Sequence, residues 1–251
     1  RLQHAAIVTA ITQGNTGDRL TIKVLVATQQ FLHGQGFVCL SLQVEEAPSP
    51  SISEETRERM TSTALKLISE LGYANAGTVE FLMDQAQHFY FMEMNTRIQV
   101  ENDISARISY LNGQQPNLIR EQIRLALGER AGYKQKDINF LGAAIELRIV
   151  AEDTRRGFAP WIGTISEFSF PSHDWSVVYS HVPSDRDYTI PSDFDPNLAL
   201  ALVWADTMDE AKQRAAQFID ESVIRGKDSS GGPIVTNLAY LKENLDRLLT
   251  F

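Results

Sequence analysis

Apolar and polar positions over residues 77–101 read as two short strands joined by a polar turn, ending in a dense polar run. Val79, Phe81 and Met83 fall on one side of an extended chain, and Thr78, Glu80 and Leu82 on the other. A second extended run follows at residues 88–95. With residues 84–87 as a four-residue hairpin loop, Met83 faces His88 and Glu80 faces Phe91. Glu93 then lies diagonally from Glu80, and Asn95 follows two residues on. Two carboxylates and an amide line one face of a ribbon whose other face is apolar. Like charges at that spacing call for a positive partner, and a hard cation with oxygen ligands answers. A solvated hairpin face fits the same pattern. If the chain stays extended, Arg97, Gln99 and Glu101 share one face. An arginine beside a glutamate suits a small oxyanion, which the guanidinium binds while the carboxylate takes its proton. An ordinary surface ion pair is the alternative.

The remaining pattern alternates strands with helices. Residues 4–12 are apolar and end in a turn signal, 20–27 and 37–42 read as strands, and Glu45-Glu46-Ala47-Pro48-Ser49-Pro50 as a break. Ser51 and Glu54 have capping-box spacing ahead of a helix that turns Met60, Ala64, Leu65, Leu67, Ile68 and Leu71 inward and stops at Gly72. Pro116 opens another, with Leu118, Ile119, Ile123, Ala126 and Leu127 inward and Gly128 as its stop. After residue 130 the character changes. Residues 143–150 alternate, with Ile145, Leu147 and Ile149 toward a core and Glu146 and Arg148 opposite. Strands follow at 164–170, 177–182 and 198–204. Thr207 and Glu210 cap a helix that buries Ala211, Ala215, Phe218 and Ile219, and a last helix carries Leu238, Leu241, Leu245, Leu248 and Leu249. The layout is α+β, with domains at 1–130 and 131–251.

Composition narrows the function. A net charge of −9 argues against a nucleic-acid or anionic-membrane surface. The one cysteine, Cys39, excludes an internal disulfide and fits a cytoplasmic setting. The five histidines show no metal-ligand spacing. No apolar run is long enough to span a membrane. The chain opens on Arg1, which reads as a piece cut from a longer polypeptide.

Glu80-Phe81-Leu82 followed by Phe91-Met92-Glu93-Met94-Asn95-Thr96-Arg97-Ile98-Gln99-Val100-Glu101 resembles the biotin carboxylase family, the ATP-grasp enzymes of acetyl-CoA, propionyl-CoA and pyruvate carboxylases. Further matching segments follow the same order. They are Val44-Glu45-Glu46-Ala47-Pro48, Leu118-Ile119-Arg120-Glu121-Gln122, Ala144-Ile145-Glu146-Leu147-Arg148-Ile149, Ala151-Glu152-Asp153, Phe158-Ala159-Pro160 and Val235-Thr236-Asn237. The resemblance covers nearly the whole chain. It implies the end of an ATP-grasp domain followed by the carboxylase C-terminal domain, an antiparallel sheet with helices.

In that family ATP activates bicarbonate to carboxyphosphate, and the released CO2 carboxylates biotin. The resemblance implies that Glu80 and Glu93, with Asn95 beside them, hold magnesium or manganese on the ATP phosphates. It gives bicarbonate to Arg97, Gln99 and Val100, the role of base to Glu101, the biotin enolate to Arg148, and adenine packing to Leu82 and Met92. Biotin carboxyl carrier and carboxyltransferase domains or subunits are the implied partners, with a homodimer as a further option and a mitochondrial location if the source is eukaryotic.

The departures are specific. Where the family carries an Arg-Arg-His-Gln-Lys type run, this chain has Phe37-Val38-Cys39-Leu40-Ser41-Leu42-Gln43, without a basic residue. Asn102-Asp103-Ile104-Ser105-Ala106 replaces His-Pro-Val-Thr-Glu, and Phe194-Asp195-Pro196-Asn197-Leu198-Ala199-Leu200 replaces a Tyr-Asp-Ser-Met-Ile-Gly-Lys run. The family's glycine-rich lid and ATP lysines belong upstream of Arg1. The expectation is a diverged fragment of a biotin carboxylase, inactive in isolation. The alternative is a non-catalytic structural domain of a multidomain carboxylase.

Overall fold

The structure is a computed structural model. It describes residues 2–12, 19–20 and 25–29 by backbone, and 44–84, 86–131, 133, 135–192 and 196–249, with the side chains of Gln135 and Arg247 left aside. The chain divides into two compact units, the first running to Ala144 and the second from Ile145. Five α-helices and antiparallel strand pairs make both units α+β among the described residues.

The first unit is built on an antiparallel sheet. Its strands are β1 (Leu2–Thr12), β2 (Arg19–Leu20), β3 (Leu25–Gln29), β4 (Val44–Ala47), β5 (Ala76–Asp84) and β6 (Phe89–Asn95). They run in the order β4-β3-β1-β5-β6, with β2 paired to β1. Within the alternating run at 20–27, Leu20 falls in β2 and residues 25–27 fall in β3, while 21–24 lie outside the described residues. The strand expected at 37–42 and Cys39 lie outside the described residues. Glu45-Glu46-Ala47 does not break the chain; it forms β4, buried along its whole length, and the turn comes after Pro48.

Helix α1 (Glu54–Glu70) covers the apolar face. Met60, Ala64 and Ile68 pack with Val79, Phe81 and Met83 of β5, as their spacings predict. Its N-cap is Ser53, whose hydroxyl accepts from the Thr56 N–H, two residues later than the expected cap at Ser51. Leu71 lies beyond the last helical turn and is exposed.

After α2 (Asn102–Ile108), β7 (Ser109–Leu111) pairs with β8 (Ile138–Phe140). Between them α3 (Leu118–Ala126) corrects its expected inner face. Leu118 is buried, but Ile119, Ile123 and Leu127 are exposed and Ala126 faces out with them. Glu121 is buried instead, because Arg124 and the Tyr133 hydroxyl donate to its carboxylate and remove the cost of an unmet charge.

The second unit contains β9 (Ala143–Val150, from Ile145 onward), β10 (Glu152–Asp153), β11 (Ala159–Pro160), β12 (Thr164–Ser169), β13 (Ser176–Ser180), β14 (Tyr188–Thr189), β15 (Asn197–Ala205), α4 (Met208–Glu221), β16 (Val223–Lys227) and α5 (Leu238–Leu248). Strands β13, β15 and β9 are neighbours in that order, and β12 pairs with both β14 and β16. Thr207 caps α4, which buries Ala211, Ala215, Phe218 and Ile219 as predicted. Leu241, Leu245, Leu248 and Leu249 are buried at α5. Gly163 is required by close approach: a Cβ there would stand 2.3 Å from the Trp161 ring and 2.5 Å from the Lys227 carbonyl oxygen.

Candidate active site

Strands β5 and β6 carry the acidic face, in a register that differs from the predicted one. Asp84 N–H donates to the His88 carbonyl, so the hairpin closes one pair later and Met83 faces Phe89. The register then shifts between Glu80 and Phe81. Phe81 faces Phe91 and Glu80 faces Glu93, which leaves Met92 as the extra residue of a β-bulge. The two carboxylates are directly opposed, not diagonal. No periodic pattern announces a bulge, because one inserted residue looks like continued strand.

Four polar side chains meet there. Asn95 Nδ2 donates to Glu80 Oε1 at 2.7 Å and to Glu93 Oε1 at 3.3 Å. Gln99 Nε2 donates to the same Glu80 oxygen at 3.0 Å. Glu80 is half-buried and Glu93 exposed. Burial raises the Glu80 pKa above the ordinary carboxylate value, with the charges of Glu93 and Glu101 adding to it; the hydrogen bonds from Gln99 and Asn95 oppose the rise.

The run after Asn95 does not stay extended. The Asn102 N–H and Nδ2 both bond the Gln99 carbonyl oxygen, at 3.3 and 2.9 Å. Glu101 thereby becomes the N-cap position of α2. Gln99 turns back to Glu80, a contact that alternation does not foresee. Arg97 is exposed and donates from Nη1 to the Ile98 carbonyl at 3.1 Å, and Val100 is exposed. Leu82 is half-buried two residues along β5 from Glu80, while Met92, at the bulge, is exposed. Glu80, Glu93, Asn95 and Gln99 are thus joined by hydrogen bonds. Arg148 lies in the second unit, half-buried on β9 between the fully buried Leu147 and Ile149.

The donor set suits a hard divalent cation. The Asn95 Nδ2 reaches an oxygen of each carboxylate, which sets the two acids side by side. Among the described residues no group of three or more His, Cys, Asp or Glu side chains could hold a metal. Two carboxylates fit an ion that takes most of its ligands from phosphates and water. The histidines described serve elsewhere: His88 bonds Asp84, His173 bonds Glu221 and stacks on Trp175, and His181 meets the Tyr188 hydroxyl.

Two family profiles match in tandem. "Carbamoyl-phosphate synthase L chain, ATP binding domain" matches residues 39–133, and "Biotin carboxylase C-terminal domain" matches residues 146–247. The chain is 41% identical over 203 residues to biotin carboxylase 2, chloroplastic, of Populus trichocarpa, covering 81% of this chain and 36% of that one. This chain belongs to the biotin carboxylase family. Biotin carboxylase 2 of Bacillus subtilis is 39% identical over 198 residues, covering 79% of this chain and 41% of its own length. Among solved structures, the biotin carboxylase domain dimer of Hydrogenobacter thermophilus 2-oxoglutarate carboxylase, in complex with MgADP, ADP and bicarbonate, superposes with a TM-score of 0.81 at 29% identity, over 100% of this chain and 55% of that one. The Campylobacter jejuni biotin carboxylase complex with β,γ-ATP gives 0.83 at 30% identity, over 98% and 50%. The chain therefore spans well under half the length of these curated biotin carboxylases and about half of the solved ones. Among the described residues no helix is long and apolar enough to cross a membrane.

Proposed function

We propose that this chain supplies the cation- and bicarbonate-binding part of a biotin carboxylase, with a partial ATP-grasp domain at 1–130 and the C-terminal domain at 131–251. The observation that carries the proposal is the joined group of Glu80, Glu93, Asn95 and Gln99, whose last member stands between Arg97 and Glu101 in the sequence of a member of this family. Glu80 and Glu93 hold magnesium or manganese on the ATP phosphates, with Asn95 beside them. The ion, when bound, offsets phosphate charge. Leu82 and Met92 pack on the adenine. Arg97, Gln99 and Val100 bind bicarbonate, Glu101 takes its proton, and Arg148 stabilises the biotin enolate. The setting is cytoplasmic, or mitochondrial in a eukaryote. The partners are biotin carboxyl carrier and carboxyltransferase domains or subunits, with a second copy as an option that the dimeric Hydrogenobacter relative supports.

Residues 1–251 alone do not complete turnover in this reading. The run Phe37-Val38-Cys39-Leu40-Ser41-Leu42-Gln43 offers no positive charge to ATP or bicarbonate, and apolar side chains do not replace that stabilisation. The expected result is no ATP hydrolysis that depends on biotin and bicarbonate. Measurable biotin-dependent turnover by this chain overturns that part.

The same apolar run favours a second reading, a non-catalytic structural domain of a multidomain carboxylase. Titration with Mn2+ and ATP separates the two. Saturable Mn2+ binding that Glu93→Ala removes supports the first, and its absence supports the second.

A further inference from the structure

We infer that Asn237 is a positioning residue for Arg148, an inference that rests on the proposed role of Arg148 toward biotin. Asn237 is completely buried. It occupies the N-cap position of α5, where an asparagine ordinarily spends its side chain on the first turn of the helix. Here the side chain makes no cap hydrogen bond, and the Leu238 N–H turns to the Thr236 hydroxyl at 3.4 Å. The Asn237 amide goes to β9 instead. Oδ1 accepts from the Val150 N–H at 2.9 Å, and Nδ2 donates to the Arg148 carbonyl at 2.7 Å. The Asn237 main-chain N–H adds a bond to the Val150 carbonyl at 3.1 Å.

These three bonds follow a rule of strand geometry. Main-chain groups two residues apart point to the same strand edge, so the Arg148 carbonyl and both Val150 groups project together. One asparagine takes the place of a neighbouring strand there. The orientation of the amide follows from its partners: an N–H needs the oxygen and a carbonyl needs the nitrogen. The bonds fix the backbone on both sides of Ile149. Since Leu147 and Ile149 are fully buried, the direction in which Arg148 leaves the strand is fixed with them. Aspartate keeps the acceptor and loses the donor, so Asn237→Asp removes the Arg148 bond while keeping the Val150 bond.

The test uses free biotin as the probe, with NMR of the Arg148 Nε–H resonance and hydrogen exchange at the Val150 N–H. In Asn237→Asp the Val150 N–H should stay protected, the Arg148 resonance should move, and biotin should bind about fivefold more weakly, on the order of one net hydrogen bond. Added to Arg148→Ala, the substitution should weaken binding no further, because both act through one side chain. Asn237→Gln keeps the amide on a longer arm; it serves if the aspartate variant does not fold, and should move the Arg148 resonance too. If Arg148→Ala leaves biotin binding unchanged, or the wild-type chain shows no biotin-dependent change at Arg148, the assignment of Arg148 fails and takes this inference with it. If Arg148→Ala weakens binding while the Asn237 variants bind as wild type, or weaken it further in the double variant, the positioning role alone is overturned.

Discussion

Glu80 and Glu121 are both acids drawn into the first unit, and they differ in what meets them. Glu121 is buried beside cations. The Arg124 Nη1 lies 3.1 Å from each of its oxygens, the Tyr133 hydroxyl donates at 3.0 Å, and the Arg120 Nε stands 3.7 Å away. Burial, and then the Glu121 charge, pushes the Tyr133 phenol well above its ordinary range, so it stays a donor. Glu80 accepts from neutral donors, the amides of Asn95 and Gln99, and it feels two further carboxylates. Amides can orient a carboxylate but cannot cancel its charge. The Glu121 arrangement is closed from within; the Glu80 arrangement leaves charge for a cation to meet. Burial of an acid alone does not separate a structural carboxylate from a functional one, whereas the charge of its partners does.

The largest expected effect breaks the closed arrangement. Arg124→Ala takes the guanidinium from a buried carboxylate and should lower the denaturant midpoint more than any other change named here. Tyr133→Phe removes one hydrogen bond to the same charge and should cost about 2 kcal/mol in chemical denaturation. Neither should change Mn2+ binding at the hairpin. A Tyr133→Phe chain as stable as wild type would mean that Glu121 is held by its arginines alone.

The open arrangement should respond the other way. Glu93 is exposed, so Glu93→Ala should leave stability almost unchanged. It should weaken Mn2+ binding by about tenfold or more, since even changes outside the ligand shell cost that much at metal sites. Electron paramagnetic resonance of free Mn2+ reads this directly. Equal affinity in the variant would remove Glu93 from the cation site.

The same contrast explains what could be read from the chain. Helix α4 obeyed its apolar period at Ala211, Ala215, Phe218 and Ile219, because nothing competes with hydrophobic burial there. Helix α3 has an equally regular apolar period, yet Ile119, Ile123 and Leu127 face out. Its inward face was settled by Glu121, which pairs with Arg124 and accepts from the Tyr133 hydroxyl, a partner beyond the helix and outside any local period. The hairpin behaved alike. Val79, Phe81 and Met83 went inward as alternation requires, while the bulge at Met92 and the turn at Asn102 set which polar groups touch. The residues of the acidic face were legible from their types. Their contacts depend on a one-residue irregularity and a loop reversal, which carry no periodic signal.

The smallest effect tests the sign of the Glu80 charge. Its folded pKa is raised, so between the ordinary value of 4.5 and the raised one the folded chain keeps a proton that the unfolded chain has released. Stability therefore falls as pH rises through that window. Above it, the ionised, half-buried carboxylate is a net cost of folding; below pH 4.5 that cost is gone. Glu80→Gln keeps an oxygen for Asn95 and Gln99 and removes the charge. The variant should be slightly more stable than wild type at neutral pH, with the gain shrinking as pH falls through the raised pKa. Mn2+ should reverse the order at neutral pH, because an ion that binds the folded state stabilises only the chain that retains its ligand. Thermal unfolding of both chains across pH, with and without Mn2+, reads all three signs. A Glu80→Gln chain that is less stable than wild type without the ion would mean that the two amides already compensate the charge, and the contrast with Glu121 would lose its basis.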